Sequence, residues 1–207
     1  MGEWTFAEQA ASRPPRGDDE LRDWLENMLR WHRFSDDEVR LAAGLSPTEI
    51  EAAREQFALT GVLDLPPRST LKLLPYPGGR HPRAGFLDGA LQPQRDTKVS
   101  VFPPSAASGY VVVDLPEAIF TNLGLTYLAH THVPTIWSTA GVELPPVEWT
   151  LNADGSLTME RTLPNGIRFG SSATPHENSV AMELWLQNGT PDPLTNMRSQ
   201  VCVMLKG

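Results

Sequence analysis

The chain is poor in cysteine and in long apolar runs. Its single cysteine, Cys202, excludes an internal disulfide and a cysteine-rich zinc site. No apolar run approaches the roughly 20 residues that a membrane-spanning helix needs, and the first residues lack the apolar stretch of a signal peptide. These absences predict a cytoplasmic protein without a membrane partner.

Basic residues are also scarce. The chain has 17 Lys and Arg against 25 Asp and Glu, which gives a net charge of -8, and residues 1–60 alone hold 13 acidic and 7 basic side chains. Since most non-specific affinity for nucleic acids comes from basic surfaces, this balance predicts no nucleic-acid partner.

The short motifs of common enzyme classes are missing as well. The sequence has no G-x-S-x-G nucleophile motif, no phosphate-binding loop and no dinucleotide fingerprint. Enzymes that are identified by such motifs are therefore unsupported, whereas enzymes whose residues assemble across strands are not excluded, and whether the protein is an enzyme stays open.

The first part of the chain has the pattern of short amphipathic helices. Residues 1–17 lack periodicity and are interpreted as a flexible lead-in, whereas 18–33 place apolar side chains mostly on one stripe. Ser35 with Glu38, and Ser46 with Glu49, have the spacing of capping boxes that begin a second and a third helix. We therefore expect a helical module over 18–60, followed by a linker over 61–70.

From residue 71 onward, short β-prone runs are separated by turn signals such as Asn165-Gly166 and Asn188-Gly189. This texture predicts a mainly β fold, an antiparallel sandwich over 71–207, preceded by the small three-helix module. The expected strands are 71–74, 98–102, 110–114, 125–133, 147–151, 157–162, 167–173, 180–187 and 198–205.

The second and third helices also have the spacing of a helix-turn-helix. However, residues 36–57 contain only Arg40 and Arg54 against six acidic side chains, and a DNA-reading helix should present cations or amides to the groove. A structural or protein-docking helical hairpin is the better interpretation.

His130-Thr-His132 is the sharpest local signal for a site. On a strand, alternate side chains share a face, so both imidazoles would point the same way and could act as catalytic acids or bases or hold a divalent metal. A metal needs further ligands, for which His176 is the leading candidate, with His81, Glu143 and Glu177 as others. The alternative is two histidines that form hydrogen bonds within a sheet or line a cleft without metal.

A loop rich in glycine and arginine is the second candidate for ligand contact. Arg80, His81 and Arg83 follow two glycines, and arginine side chains bind carboxylates, phosphates or sugar hydroxyls. Trp137 could add a stacking surface for a sugar ring. Equally, these arginines could bond backbone carbonyls that have no strand partner, and Trp137 could pack in the core.

Four stretches carry a resemblance. LPYPGGRHPRAGFLDGALQPQRDTKVSVF, LGLTYLAHTHVPTIW, RTLPNGIRFG and ELWLQNGTPDPL…QVCVMLKG resemble a family of uncharacterised bacterial proteins. Family members continue past the equivalent of Gly207, so the resemblance implies that the sandwich is incomplete at its C-terminus. Val180 to Lys206 further resembles the sandwich of galactose-mutarotase-like proteins, which bind sugars on a broad sheet.

Together these observations favour a β-sandwich that binds or acts on a polar small molecule, with a carbohydrate as the leading candidate and one divalent metal as a candidate cofactor. The alternative is a non-catalytic regulatory or interaction protein, in which the helical module docks on a partner and the β domain senses a ligand. The two differ in whether histidine and arginine side chains converge on a cavity.

Overall fold

A computed structural model describes residues 12–80, 95–104, 109–129 and 133–206. These residues form two units. The helical unit contains 12–67 and 77–80, and the β unit contains 68–76 with the described residues from 95 onward.

The helical unit begins with α1 (Asp18–Leu25), which continues as a π-helical segment (Glu26–Trp31), followed by α2 (Asp36–Ala43) and α3 (Pro47–Gln56). Both expected capping boxes are confirmed, because the side chains of Ser35 and Ser46 accept hydrogen bonds from the N–H groups of Glu38 and Glu49. Its buried apolar side chains include Leu25, Met28, Val39, Ile50 and Ala53.

The β unit contains nine strands and one short helix among the described residues. The strands are β1 (Lys72–Pro75), β2 (Lys98–Phe102), β3 (Tyr110–Thr121), β4 (Gly124–Leu128), β5 (Thr150–Leu151), β6 (Leu157–Thr162), β7 (Arg168–Pro175), β8 (Val180–Gln187) and β9 (Arg198–Lys206). The helix α4 (Ile136–Thr139) lies between β4 and β5.

These strands form two antiparallel sheets, so the expectation of a mainly β fold with antiparallel sheets is confirmed. Sheet A contains β1, β2, β3, β4 and β9. Within it β3 is bonded to β2 and β4 along one edge and to β9 along the other. Sheet B has the order β5-β6-β7-β8. Each strand of sheet B follows its neighbour in the chain, as the turn signals predict.

One hydrophobic core lies between the two sheets. Sheet A contributes Leu73, Val99 and Ile119 to it, and sheet B contributes Leu157 and Phe169, all of them buried. In β6 every second residue is buried, so sheet B has one face turned toward the core, with Leu157, Met159 and Arg161, and an outer polar face.

Some strand boundaries differ from the sequence expectation. β3 extends to Thr121 instead of ending at Asp114, because an irregularity in its pairing with β9 accommodates the residues around Pro116. β4 ends at Leu128, earlier than the expected Val133, and residues 130–132 lie outside the described part. Within the described ranges, no helix is both long enough and apolar enough to cross a membrane.

Candidate functional site

Four of the residues predicted for a site lie outside the described residues: His81, Arg83, His130 and His132. The expected histidine pair and its catalytic or metal-binding role therefore stay predictions. In the ranges that the structure describes, no group of three or more His, Cys, Asp or Glu side chains is placed to hold a metal ion.

Arg80 belongs to the helical unit, where its guanidinium group bonds to the protein. Its Nη2 donates to Glu38 Oε2 at 2.7 Å and to the carbonyl oxygen of Arg33 at 3.2 Å, and its Nη1 donates to the carbonyl of His32 at 3.1 Å. The guanidinium carbon also lies 4.3 Å from the centre of the Phe34 ring. These contacts match the alternative interpretation, in which arginine satisfies backbone carbonyls.

This set of contacts changes the acidity of Glu38. Burial acts to raise the pKa of Glu38, but the hydrogen bonds that its carboxylate accepts from Arg80 and from Ser35 outweigh burial, and the pKa lies below its ordinary value. The ion pair between Arg80 and Glu38 thus joins residues 77–80 to α2 as charged groups at neutral pH.

Trp137 and His176 make separate contacts, the first at the border of the core and the second in a turn. The indole N–H of Trp137 donates to the carbonyl oxygen of Thr126 at 2.7 Å, and its ring packs at the border of the core. His176 is exposed in the turn between β7 and β8, where its backbone N–H donates to the carbonyl oxygen of Ser179. Glu143 and Glu177, the other candidate ligands, are exposed.

The outer face of sheet B presents a set of side chains that sequence patterns alone did not single out. Residues that are paired across antiparallel strands share a face, and the registers of β6, β7 and β8 define three rows on this outer face. We call these nine residues the polar face: Thr162, Arg168 and Gln187 in the first row, Glu160, Gly170 and Trp185 in the second, and Thr158, Ser172 and Glu183 in the third.

The indole ring of Trp185, a residue of β8, lies over Gly170 at the centre of this polar face. Its neighbour across the strand pair is Gly170, and a Cβ built on Gly170 would lie 2.5 Å from Cζ2 and 2.6 Å from Cε2 of the indole. The ring can therefore lie over the backbone of β7 only because residue 170 has no side chain. Trp185 remains 41% exposed, whereas Trp149 is buried and the other described tryptophans are partly buried.

Charged and amide groups border the indole on one side. The Arg168 guanidinium lies 6.0 Å from the ring centre, its Nε donates to Glu160 Oε1 at 3.0 Å, and its Nη1 donates to Gln187 Oε1 at 3.2 Å. This chain of bonds fixes the arginine plane near the aromatic ring.

A carboxylate and a hydroxyl group border the indole on the other side. Ser172 Oγ donates to Glu183 Oε2 at 3.4 Å, and Glu183 is exposed. An ionised carboxylate can accept several hydrogen bonds, so Glu183 has capacity for donors from a ligand. The arrangement as a whole offers an apolar plane surrounded by hydrogen-bond acceptors and donors, which suits a molecule with one apolar face and a polar rim.

The sequence did contain one signal for this face. In Val180–Gln187 the apolar residues alternate with Glu183, Trp185 and Gln187, so a tryptophan occupies the polar side of the strand. Tryptophan combines an apolar ring with an N–H donor and is enriched at interfaces, so its place among polar side chains marks this face of the strand. The partners Gly170 and Arg168 required knowledge of the strand register.

Comparisons of the chain with protein-family models, with curated proteins and with solved structures found no match.

Proposed function

We propose that the β unit binds a carbohydrate on the polar face of sheet B, in an antiparallel sandwich of the galactose-mutarotase-like or jelly-roll-like kind. The observation that supports this function is the exposed indole of Trp185, which lies over Gly170 and is bordered by Arg168, Glu160 and Glu183.

A pyranose ring is matched to such a surface by its own chemistry. Its C–H groups make one face apolar, which packs against an aromatic plane, while its hydroxyl groups radiate around the rim. The carboxylates of Glu160 and Glu183 and the amide of Gln187 accept hydrogen bonds from hydroxyls, and Arg168 donates them.

The charges of the polar face select among sugars. Two carboxylates, Glu160 and Glu183, stand against one guanidinium, Arg168, so the face has a net negative charge. A ligand that carries the same sign of charge as its binding surface binds less well. Neutral hexoses or amino sugars are therefore the expected ligands, in preference to uronic or sialic acids.

The test is a titration of the protein with a panel of neutral, amino and acidic oligosaccharides. Binding is measured by the change in tryptophan fluorescence and by calorimetry. We expect Trp185→Ala to weaken binding of the best neutral sugar at least tenfold, which corresponds to about 1.4 kcal/mol. Because Trp185 lies on the outer face, the variant should keep the circular dichroism spectrum of the parent.

Val62→Ala is the matched control, since Val62 is 90% exposed in the helical unit and lies outside the polar face. It should bind sugar with the affinity of the parent. Equal affinity of the Trp185→Ala variant, or no binding by any sugar of the panel, would contradict the proposed function.

A further inference from the structure

Three of the nine residues of the polar face are charged, and two of these three neutralise each other. Arg168 Nε donates to Glu160 Oε1 at 3.0 Å, and its Nη2 forms an ion pair with the same oxygen. The remaining nitrogen, Nη1, donates to Gln187 Oε1 at 3.2 Å. Opposite charges in direct contact largely cancel for any group farther away, so Arg168 and Glu160 together add little net charge to this surface.

Glu183 carries the charge that is left. Within the ranges that the structure describes, its carboxylate forms no ion pair, and its one hydrogen bond is accepted by Oε2 from Ser172 Oγ at 3.4 Å. The side chain is exposed. Because an ionised carboxylate can accept about four hydrogen bonds, most of this capacity is available to a ligand. The net negative charge of the polar face is therefore located at Glu183.

This carboxylate belongs to the residue that lies two positions before Trp185 on β8. Both side chains consequently project from the outer face of sheet B, about 7 Å apart along the strand. The indole of Trp185 is 41% exposed. A pyranose ring that packs on this indole has its substituents around the rim, so a substituent on the side of Glu183 can reach the carboxylate.

A protonated amino group is the sugar substituent that such a carboxylate favours. A hydroxyl donates one neutral hydrogen bond, whereas an ammonium group carries a positive charge and donates up to three. Hydrogen bonds between charged groups are roughly twice as strong as those between neutral ones. An N-acetyl group is neutral and keeps a single N–H, so it cannot form the ion pair.

We propose that Glu183 determines the specificity of the polar face and selects sugars that have a free amino group; this inference rests on the carbohydrate binding proposed above. The C–H face of the sugar packs on Trp185, and its ammonium group pairs with Glu183. The ligand class is thus narrowed from neutral hexoses and amino sugars to amino sugars alone.

The test uses three trisaccharides with the same β-1,4-linked glucose backbone: cellotriose, its analogue with free amino groups at C2, and the N-acetylated form of that analogue. Calorimetry at pH 6 and low salt measures their affinities while amino groups are protonated. The parent protein should bind the amino trisaccharide at least tenfold more tightly than the other two. Sodium chloride should reduce this advantage, because it screens exposed charges.

Variants of Glu183 test whether this carboxylate is the source of the preference. In Glu183→Gln the ratio of affinities for the amino trisaccharide and cellotriose should fall to near one, and Glu183→Asp, which keeps the charge, should retain a preference for the amine. Glu51→Gln is the matched control, since Glu51 is an exposed carboxylate of α3 in the helical unit. It should have the ratio of the parent. All three variants change exposed side chains and should keep the parent circular dichroism spectrum.

Ethanolamine separates an amino sugar from other amines. It has an ammonium group and a hydroxyl but no ring, so it cannot pack on Trp185 and should bind at least tenfold more weakly than the amino trisaccharide. Equal affinity for ethanolamine would show that the ring contributes nothing, and the selection of a sugar would be wrong.

Failure of this inference and failure of the proposed function give different results. If no sugar binds, the carbohydrate function itself is wrong, and the specificity with it. If the three trisaccharides bind equally well, or the N-acetylated form binds best, the function stands and the selection of amino sugars is wrong. A preference for the amine that persists in Glu183→Gln would assign the selection to another residue and overturn the role of Glu183.

Discussion

The ammonium group of Lys98 lies 2.9 Å from the carboxylate of Asp114, and both side chains are buried, with exposed fractions of 1% and 0%. The two residues are directly paired between β2 and β3, and Thr97 Oγ1 donates to the same carboxylate at 3.3 Å. A buried ion pair of this kind is costly to break from one side, because the remaining charge is left in the protein interior.

We expect Lys98→Met and Asp114→Leu, made singly, each to lower the free energy of unfolding by about 3 to 5 kcal/mol, and the double variant to lie close to the parent or above it. Lys72→Met on the neighbouring strand β1 is the control and should change the free energy by less than about 1 kcal/mol. Urea unfolding measures the parent and all four variants. Additive losses in the double variant would show that the pair is not the source of the effect.

His32 should make the helical unit sensitive to acid. Burial lowers the pKa of His32 from 6.5 to about 3; a hydrogen bond with the carbonyl oxygen of Asn27 opposes this, and the nearby Arg80 charge adds to it. Between these two pH values the unfolded chain binds more protons than the folded one. The contribution of the neutral, buried His32 to the free energy of unfolding is therefore fully present above pH 6.5. It is lost as the pH falls toward about 3, which lowers the free energy of unfolding by as much as about 4 kcal/mol.

The measurement for His32 is urea unfolding, followed by circular dichroism at 222 nm, at a series of pH values. His32→Gln removes the titrating group, so its free energy of unfolding should fall less steeply between pH 6.5 and pH 3. Parallel curves for the two proteins would contradict the prediction, since the remaining slope would then come from carboxylates alone.

Gly79 and Gly61 form a matched pair for a test of packing. Both have a φ of +73°, so alanine is strained equally at each position, but a Cβ at Gly79 would collide with the carbonyl oxygen of Glu38, whereas at Gly61 nothing lies within 4 Å. We expect Gly79→Ala to destabilise the helical unit by about 1 to 3 kcal/mol more than Gly61→Ala. Thermal unfolding would reveal the difference, and equal losses would refute it.

Gly170→Ala should displace the indole of Trp185. The new Cβ would lie 2.5 Å from the ring and 2.8 Å from the carbonyl oxygen of Met159, and the side chain can move while the backbone cannot. We expect Trp185 to become more accessible to acrylamide quenching and sugar binding to weaken at least tenfold. Gly17→Ala, where nothing lies within 4 Å, should change neither quantity. Unaltered quenching in Gly170→Ala would show that the ring does not depend on the glycine.

Local patterns predicted the elements well. The capping boxes at Ser35 and Ser46 specify helix starts because the partner carboxylate lies three residues away, and alternation in 157–162 and 180–187 specifies strands because burial on a sheet has a period of two. These signals are contained in short stretches of sequence.

Long-range pairings could not be predicted in the same way. Arg80 bonds to Glu38 across 42 residues, and Trp185 meets Gly170 through a register that depends on the turn between β7 and β8. From the sequence alone, the partner of Arg80 could be a backbone carbonyl, a carboxylate or a ligand. Alternation with a period of two predicts which face of a strand a side chain occupies. It does not predict the residue that lies opposite on the neighbouring strand. The role of the His130 and His132 pair stays a prediction.

The return of residues 77–80 to the helical unit makes that unit discontinuous in the chain. The strand β1, which belongs to the β unit, is inserted between the end of the helices and the Arg80 side chain that bonds to α2. A fragment that ends at residue 60 would lack Arg80 and would leave Glu38 without its guanidinium partner. Recombination could therefore not transfer the three helices to another protein as a single contiguous cassette without also transferring β1.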